Sequence, residues 1–390
     1  MNTKITVTFE QAIQAIKEAD FLVGKAYEYS DLKKVLKNKF PQINDNQVSG
    51  LVTRLTKSEK NVIFTVYKES GSRNKYIYAP NLCPEIITKK YELTNIFINE
   101  EGIKLFRIRA LKDLNQGKVK VGDLGGFVES EANLSHEGNA WIYDDAQVKK
   151  NARVYDDARV HGNAKVHGNA VVYDDAAVGG NALVCIDAKV YGNAVVYGDA
   201  EVFGNARVYD SAQVFGFSKI SGQIYGDAKV YGNTRVRGNT QVYDNARVFG
   251  SSNFLGNVKV YENAVVYGDV GAMGNVKIYG NAVVCGAGMP FCSNVKIFDD
   301  VEIYGNAIIH NTSDGSEGDT GSDYIEIKHN AKIYGCAHIM GHSITIQDDV
   351  QVYGFVSIYS DVSLTGDREI YENAHIGVLP KKRTFVEYRF

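Results

Sequence analysis

The sequence predicts a mainly β protein: a left-handed parallel β-helix (a β-solenoid with about 18 residues per coil) preceded by a small α+β domain. Three observations lead to this prediction. A six-residue repeat runs through most of the chain, tyrosines recur at every third repeat, and residues 1–90 lack the repeat and show helical patterns. An apolar fraction of 44% with 23% charged residues is enough to bury a core, which excludes a disordered chain.

The repeat unit holds Ala, a variable residue, an aliphatic residue, often an aromatic residue, Gly or Asp, and Asn or Asp. Its aliphatic positions are Ile142, Val148, Val154, Val160, Val166, Val172, Val178, Val184, Val190, Val196, Val202, Val208 and Val214. Residues two apart point to the same side of a strand, so each of these residues and the Ala two before it are predicted to face inward. Gly supplies the positive φ of a sharp corner. Three such sides make one triangular coil, and stacked coils pair as parallel strands.

Tyrosines at the fourth position predict an aromatic ladder on one face. The members are Tyr155, Tyr173, Tyr191, Tyr209, Tyr225, Tyr243, Tyr261 and Tyr279. Successive members lie three repeats apart, except that Tyr225 follows Tyr209 two residues early, which indicates one shortened coil. Phe298, beyond an insertion at 289–293, is expected to continue the ladder. Rings about 4.8 Å apart can stack, and such a ladder either stiffens the solenoid or forms an interaction surface for a partner.

The repeat sets the predicted domain boundaries. Its aliphatic positions continue at Ile297, Ile303 and Ile309, and again from Ile327 to Ile376. The predicted parts are a basic head at 1–90, a bridge and N-terminal cap at 91–131, the β-helix at 132–378 with a loop at 310–324, and a C-terminal cap at 379–390.

The head carries three helical patterns followed by two short strands. Apolar stripes predict helices in FEQAIQAIKEAD, in DLKKVLKNKF with Ser30 as its N-cap, and in NQVSGLVTRLTKS opened by Asn44 or Asp45. Alternating patterns in NVIFTVYK and KYIYA predict two strands joined by a turn. This order of elements resembles a winged helix-turn-helix domain.

Residues 21–78 hold 11 Lys and Arg against 5 Asp and Glu, a net charge of +6. A winged helix places its third helix against bases and its wing against phosphates. The residues expected to contact nucleic acid are therefore Asn46, Gln47, Ser49, Thr53, Arg54, Lys57, Lys60, Arg73 and Lys75. The alternative is a protein-binding or dimerising module whose lysines are simply solvated.

The segment KVGDLGGFVESEANLSHEGNAWIYDDA leads into the first coil and is similar to bacterial and prophage hexapeptide-repeat proteins, which are often labelled putative acetyltransferases or polymer-forming proteins. The match is carried by Gly125, Gly126, Phe127, Val128, Asn133, Leu134, Ser135, Trp141, Ile142, Tyr143 and Asp144. The likeness spans residues 103–378, implies a left-handed β-helix and suggests a phage or prophage origin. The acetyltransferase label follows the repeat, and a fold does not by itself imply a function.

Acyltransferases of this fold generally use a histidine base, a projecting loop and a coenzyme A groove between the subunits of a trimer. The residue that matches here is His310 at the root of the 310–324 loop, with His329 and His338 nearby in sequence. The family's active-site context is missing around His310. We therefore expect an ordinary surface histidine and no catalytic residue.

We expect no metal and no cofactor. The β-helical carbonic anhydrases bind zinc through three histidines, and the spacing of His338 and His342 departs from their pattern. The loop carboxylates are of the type that calcium prefers, although a solvated loop is the simpler expectation. Those carboxylates are Asp314, Glu317, Asp319 and Asp323.

The five cysteines are widely spaced, which predicts free thiols in the cytoplasm. Cys185 and Cys285 hold the outward position that Tyr usually occupies and have no evident activating partner. The chain has no apolar run of about 18 residues, and its first residues lack an apolar signal segment, so neither membrane insertion nor export is expected.

Together these features predict a non-enzymatic, phage-type accessory binding protein in the host cytoplasm. Its head would contact nucleic acid or a nucleoprotein, while the β-helix would bind or occlude a protein partner as a rigid scaffold; a homo-oligomer is also open. One concrete version is an inhibitor of a host defence complex such as a CRISPR effector. The alternatives are a coenzyme A-dependent acyltransferase and a structural, self-assembling protein.

Overall fold

The structure, a computed structural model, describes residues 7, 9–19, 26–57, 64–67, 75–78, 89–286, 295–312 and 324–377. The chain divides into two compact units, Met1–Lys89 and Lys90–Phe390, which we call the head and the solenoid. The insertion expected at 289–293, most of the 310–324 loop with its four acidic residues, and the C-terminal cap at 379–390 lie outside the described residues.

The head contains three helices and a three-stranded antiparallel sheet. The helices are α1 (Phe9–Lys17), α2 (Tyr29–Lys39) and α3 (Asp45–Lys57), and the strands are β1 (Ala26–Glu28), β2 (Phe64–Tyr67) and β3 (Lys75–Tyr78) in the order β1-β3-β2. The apolar stripes of the three helices pack together as predicted. The buried residues of this core are Ala12, Ile16, Leu32, Leu36, Ile43, Val48, Leu51, Val52 and Leu55.

The helix starts differ in how well the sequence predicted them. Ser30 was expected to cap α2, but Glu28 is the N-cap, and its N–H donates to Asp31 Oδ2 over 2.8 Å. That prediction was wrong because α2 begins one residue before Ser30. At α3, the prediction that Asn44 opens the helix is confirmed. The Gln47 N–H donates to Asn44 Oδ1 and the Asn44 N–H donates to Gln47 Oε1, both over 2.9 Å.

The solenoid is built from three parallel sheets, one for each side of the coil. Sheet 1 has 12 strands: Arg153–Val154, Val171–Val172, Lys189–Val190, Arg207–Val208, Gln223–Ile224, Gln241–Val242, Lys259–Val260, Lys277–Ile278, Glu302–Ile303, Lys332–Ile333, Gln351–Val352 and Glu369–Ile370. Sheet 2 has 13 strands: Trp141–Ile142, Arg159–Val160, Ala177–Val178, Val195–Val196, Gln213–Val214, Lys229–Val230, Arg247–Val248, Val265–Tyr267, Val283–Cys285, Ile308–Asn311, His338–Gly341, Ser357–Ile358 and His375–Ile376. In sheet 3 the coil strands are Gln147–Val148, Lys165–Val166, Leu183–Val184, Glu201–Val202, Lys219–Ile220, Arg235–Val236, Asn253–Gly256, Val270–Gly274, Val295–Asp299, Ile325–Ile327, Ile344–Ile346 and Val362–Leu364.

The interior of the coil is filled as the repeat predicts. Every predicted aliphatic residue from Ile142 to Val214 is fully buried, together with the Ala two residues before it. Where Ser or Thr replaces that Ala, the buried hydroxyl donates to the carbonyl three residues earlier, as in Thr234 to Tyr231 O and Thr240 to Arg237 O. The replacement is tolerated because no buried polar group is left unpaired.

Most corners use a residue at positive φ, usually Gly or an acidic residue, although Lys150, Ile186 and His329 also occupy such positions. Asp174 and Gly192 occupy the same corner in successive coils, with φ of 56° and 67°. Where the residue is acidic, its carboxylate accepts the N–H of the corner residue one coil later: Asp174 Oδ2 lies 3.0 Å from Gly192 N, and Glu262 Oε2 lies 2.8 Å from Gly280 N. An acidic side chain at this position therefore ties adjacent coils together.

The strand register confirms the length of the coils. Val190 pairs with Val208, three full repeats later, whereas Val208 pairs with Ile224, which comes two residues short of that distance. The two missing residues lie between Ile220 and Ile224, where one side of the coil is shortened. This is the shortened coil that the tyrosine spacing predicted.

Three further strands extend sheet 3 at its N-terminal end. β4 (Tyr91–Glu100) and β5 (Ile103–Ala110) form an antiparallel hairpin, and β6 (Leu124–Val128) pairs antiparallel with β5 and parallel with Gln147–Val148. Short 3-10 helices occupy Asn115–Gly117 and Glu131–Asn133. We call residues 91–133 the cap. It covers the edge of the first coil and buries Trp141 almost completely.

Candidate interaction surfaces

Twelve tyrosines form one continuous stack on the outer face of sheet 1. We call this stack the tyrosine column: Tyr155, Tyr173, Tyr191, Tyr209, Tyr225, Tyr243, Tyr261, Tyr279, Tyr304, Tyr334, Tyr353 and Tyr371. Neighbouring ring centroids are 4.8–5.5 Å apart, with interplanar angles of at most 15°. The stacking of the eight predicted members is confirmed.

Phe298 does not belong to this column, and that part of the prediction was wrong. Phe298 lies in sheet 3, where it pairs with Met273. Tyr304 stacks on Tyr279 instead, at 4.9 Å. The segment inserted before Val295 lengthens this coil between its sheet 2 and sheet 3 strands. The next sheet 1 strand, Glu302–Ile303, therefore comes later in the sequence than a fixed spacing predicts.

Stacking covers the faces of the rings and leaves their edges and hydroxyl groups outward. Burial raises the pKa of the column members from Tyr155 to Tyr353, to about 12 for Tyr209 and Tyr261, so these phenols are neutral at physiological pH. Tyr353 donates to Glu369 Oε2 over 3.0 Å. Within the described residues, no hydrogen bond joins the hydroxyls from Tyr155 to Tyr304 to another side chain. The column therefore presents aromatic edges with a row of hydroxyls.

A second, shorter aromatic stack lies on sheet 2. Its members are Tyr197, Phe215, Tyr231, Phe249 and Tyr267, with centroids 4.7–5.1 Å apart. Sequence reasoning missed this stack, although its members follow the same spacing as the tyrosine column, with the shortened coil between Phe215 and Tyr231. In the next two coils, the equivalent positions on sheet 2 are held by Cys285 and His310. Cys285 pairs with Tyr267, and His310 pairs with Cys285.

His310 is half-buried rather than an ordinary surface residue. Its strand neighbours are Cys285 and Met340, and burial lowers the pKa of its imidazole. His338 is exposed on the same sheet and pairs with Ile308, whereas His329 lies at a corner with Nδ1 2.7 Å from Asp348 Oδ1. In the described part of the chain, no three His, Cys, Asp or Glu side chains are grouped to hold a metal ion.

The cysteines at outward positions are shielded. Cys185 and Cys285 are 8% and 5% exposed, and burial raises the pKa of both thiols. Both are free thiols, and each is protonated at neutral pH, the weakly nucleophilic form.

Lys90 is a buried titratable group that the sequence did not suggest. It lies at the start of the solenoid, fully buried, with Nζ 3.2 Å from Glu137 O. Burial lowers the pKa of this amine to about 7. Because its side chain is fully buried, Lys90 lines no surface for a ligand.

The nucleic-acid residues expected on α3 are only partly described. Asn46, Ser49 and Thr53 are exposed, and the Thr53 hydroxyl donates to Ser49 O over 2.9 Å. Gln47 is half-buried and holds the start of α3, so its amide oxygen is already in use. The side chains of Arg54, Lys57 and Lys75, and the whole of Lys60 and Arg73, lie outside the described part of the head.

Some of the head's positive charge is paired internally. Lys33 and Lys37 lie 2.8 and 2.5 Å from the carboxylate of Asp45, and Lys39 lies 2.9 Å from Glu18. Hydrogen bonds from Lys33 and Lys37 lower the pKa of Asp45 to about 2. These α2 lysines therefore contribute less to a basic surface than their number suggests.

Residues 152–168 and 241–252 match a family model described as the YdcK beta solenoid repeat. The matched segments lie within the coils, and together with the three sheets they support a β-solenoid repeat protein. No curated protein matches the sequence. None of the described helices has the length and apolar character that crossing a membrane requires.

Proposed function

We propose that this protein is a binding protein, in which the solenoid is a rigid scaffold that contacts a protein partner through the tyrosine column. The observation that carries this proposal is the chemistry of the column. Stacking alone does not need hydroxyl groups, since Phe215 and Phe249 on sheet 2 stack as closely as the tyrosines do. Yet all 12 members of the sheet 1 column are Tyr.

Tyrosine suits an interface because it combines a large apolar ring with a hydrogen-bonding tip and few rotatable bonds. In the column, each ring is already held by its neighbours, so little side-chain entropy is lost when a partner binds. A hydroxyl row on a rigid sheet is therefore better explained by recognition than by stiffness alone.

Replacing Tyr225 and Tyr243 together by Phe tests this proposal. The change keeps the ring stacking at both positions and removes two outward hydroxyls. We therefore expect the unfolding midpoint to stay unchanged. The amount of partner recovered by affinity purification from the native host should fall at least tenfold. The matched control is Tyr197→Phe with Tyr231→Phe on sheet 2, which should leave recovery unchanged. Equal recovery by both variants would remove the tyrosine column from the proposal.

We further propose that the head contacts nucleic acid or a nucleoprotein. Its order of elements, α1-β1-α2-α3-β2-β3, is the order of a winged helix-turn-helix domain, in which α3 would be the recognition helix. Asn46 and Ser49 are exposed on α3 and suit base or phosphate contacts. The resemblance to prophage proteins motivates a more specific version, an accessory phage protein that blocks a host defence complex such as a CRISPR effector.

Adding negative charge to α3 tests the role of the head. Asn46→Asp with Ser49→Asp should weaken binding to labelled duplex DNA or RNA at least tenfold, because two carboxylates would face the phosphates. The helix should keep its stability, since acidic residues are favourable near a helix N-terminus. The control, Asn205→Asp with Ser211→Asp, adds the same charge at exposed solenoid corners and should change the affinity less than twofold. A wild-type protein that binds neither duplex, or a head variant that binds as well as the control, would contradict this role.

A further inference from the structure

The tyrosine column runs between two files of charged side chains. On one side, two residues before each Tyr, lies the file Arg153, Val171, Lys189, Arg207, Gln223, Gln241, Lys259, Lys277, Glu302, Lys332, Gln351 and Glu369. On the other side, directly after each Tyr, lies the corner file Asp156, Asp174, Gly192, Asp210, Gly226, Asp244, Glu262, Gly280, Gly305, Gly335, Gly354 and Glu372. Six members of the first file are basic and two are acidic, whereas every charged member of the second file is acidic.

This order of files makes the face complementary to itself. Consider a second copy that faces the first and is related to it by a two-fold axis parallel to the solenoid axis. The rotation exchanges left and right while keeping the height along the axis. The basic file of each copy then faces the acidic file of the other, and tyrosine column meets tyrosine column.

We propose that the protein forms a homodimer through this face, with parallel solenoid axes and the two-fold axis along the tyrosine columns. The proposal deepens the one above, because it names a second copy of the chain as the partner of the tyrosine column. It is an isologous interface, in which each contact occurs twice.

The residues at equal heights support this arrangement. Three coils carry a basic and an acidic residue that would meet across the two-fold axis: Arg153 with Asp156, Arg207 with Asp210, and Lys259 with Glu262. By symmetry these give six ion pairs. Like charges meet at equal height only in the last coil, where Glu369 would face Glu372.

The antiparallel alternative is less favourable. With the axes reversed and the columns fully overlapped, each file faces itself. Asp244 then meets Glu262, Asp156 meets Glu372, and Lys189 meets Lys332. Three like-charged contacts, each made twice, outweigh the two favourable contacts in this arrangement, between Arg153 and Glu369 and between Arg207 and Glu302.

The acidic file can take part without weakening the coils. Asp210 Oδ2 accepts the Gly226 N–H over 3.2 Å, and Glu262 Oε2 accepts the Gly280 N–H over 2.8 Å. A carboxylate has two oxygens, so the second oxygen of each remains able to accept from a basic side chain. Asp210 and Glu262 are both exposed, as Arg207 is.

The size of the face is that of a stable interface. Twelve strands at about 4.8 Å and about five residues of strand width at about 3.3 Å give roughly 900 Å² per copy. The total of about 1,800 Å² lies within the range of specific protein–protein interfaces. Aromatic residues at the centre and charged residues at the rim are also the usual distribution.

A charge exchange between two variants tests the proposal. Variant 1 carries Arg153→Glu, Arg207→Glu and Lys259→Glu, and variant 2 carries Asp156→Lys, Asp210→Lys and Glu262→Lys. In the parallel dimer each variant places like charges opposite each other at three heights, so each should dimerise at least 100-fold more weakly than the wild type in sedimentation equilibrium. An equimolar mixture should restore dimers, since Glu in variant 1 then faces Lys in variant 2 while the native pairs meet on the other side.

Restored association also shows that both variants are folded, so a loss caused by misfolding is distinguished from a loss of the interface. A wild type that is monomeric, or variants that dimerise as the wild type does, would overturn the proposal. So would two monomeric variants that stay monomeric when mixed. A monomeric wild type that still loses its partner through Tyr225→Phe and Tyr243→Phe would leave the proposed function standing and reject the second copy as the partner.

Discussion

Gly126→Ala is expected to destabilise the solenoid by about 3 kcal/mol, since it overfills a site enclosed by backbone. A Cβ at this position would lie 2.4 Å from the carbonyl oxygen of Ala146 and 2.5 Å from Cγ2 of Ile142. Both neighbours are fully buried in the first coil. Gly126 lies in β6, so β6 would have to move away from the coil that it covers.

The control for this prediction is Gly271→Ala. Gly271 also lies within a strand of sheet 3 and has ordinary φ, but the nearest atom to its added Cβ is Val295 O at 4.0 Å. We expect no loss of stability there, and a gain of a few tenths of a kcal/mol through the unfolded chain. Urea unfolding of the three proteins compares the two sites, and equal stability of the two variants would show that β6 is not closely packed.

The Gly126 variant should also associate more readily, because a displaced cap uncovers the strand edge of the first coil. Light scattering at temperatures below the unfolding midpoint measures this effect. The segment around Gly125 and Gly126 thus has a physical role, since only Gly allows β6 to approach the coil so closely.

Much of the solenoid could be predicted because the same residue type recurs at the same place in every coil. A residue that is inward in one coil is inward in the next, so Val154, Val172 and Val190 share one environment, and one correct register fixes the rest. The prediction failed for Phe298 because an insertion breaks the spacing and no local signal says which side of the coil absorbs it.

The elements without a repeat were harder to predict. The strand β1 is very short and pairs with the distant β3, so its stability comes from tertiary contact and leaves no periodic signal. The start of α2 was misplaced because Ser is a common N-cap, whereas here Glu28 and Asp31 form the cap. Such caps depend on side-chain geometry that composition does not determine.

Among the candidate surfaces, too, the part that follows the repeat was predicted and the part that depends on an insertion was not. The tyrosine column follows from spacing alone, and most of it was predicted. The neighbourhood of His310 was not, because Cys285 stands more than a regular coil earlier in the sequence and comes beside it only through the lengthened coil. The charged files beside the tyrosines were visible in the sequence, but their self-complementary order appears only once the three sheets are separated.

The solenoid itself is tested most directly at two adjacent valines. Val172 is fully buried inside the coil, whereas Val171 is half-exposed on sheet 1 between Arg153 and Lys189. We expect Val172→Asp to cost more than about 4 kcal/mol, because a carboxylate would be buried without a partner. Val171→Asp should change the stability by less than about 1 kcal/mol, since its new neighbours on the sheet are both cations.

The decisive measurement is the difference in the free energy of unfolding between these two variants, obtained by urea titration followed by circular dichroism. A large loss for Val172→Asp alone is the result that inward valines six residues apart require. Equal losses, or a larger loss for Val171→Asp, would mean that the alternation of inward and outward residues is wrong, and with it the tyrosine column and the surface proposed for it.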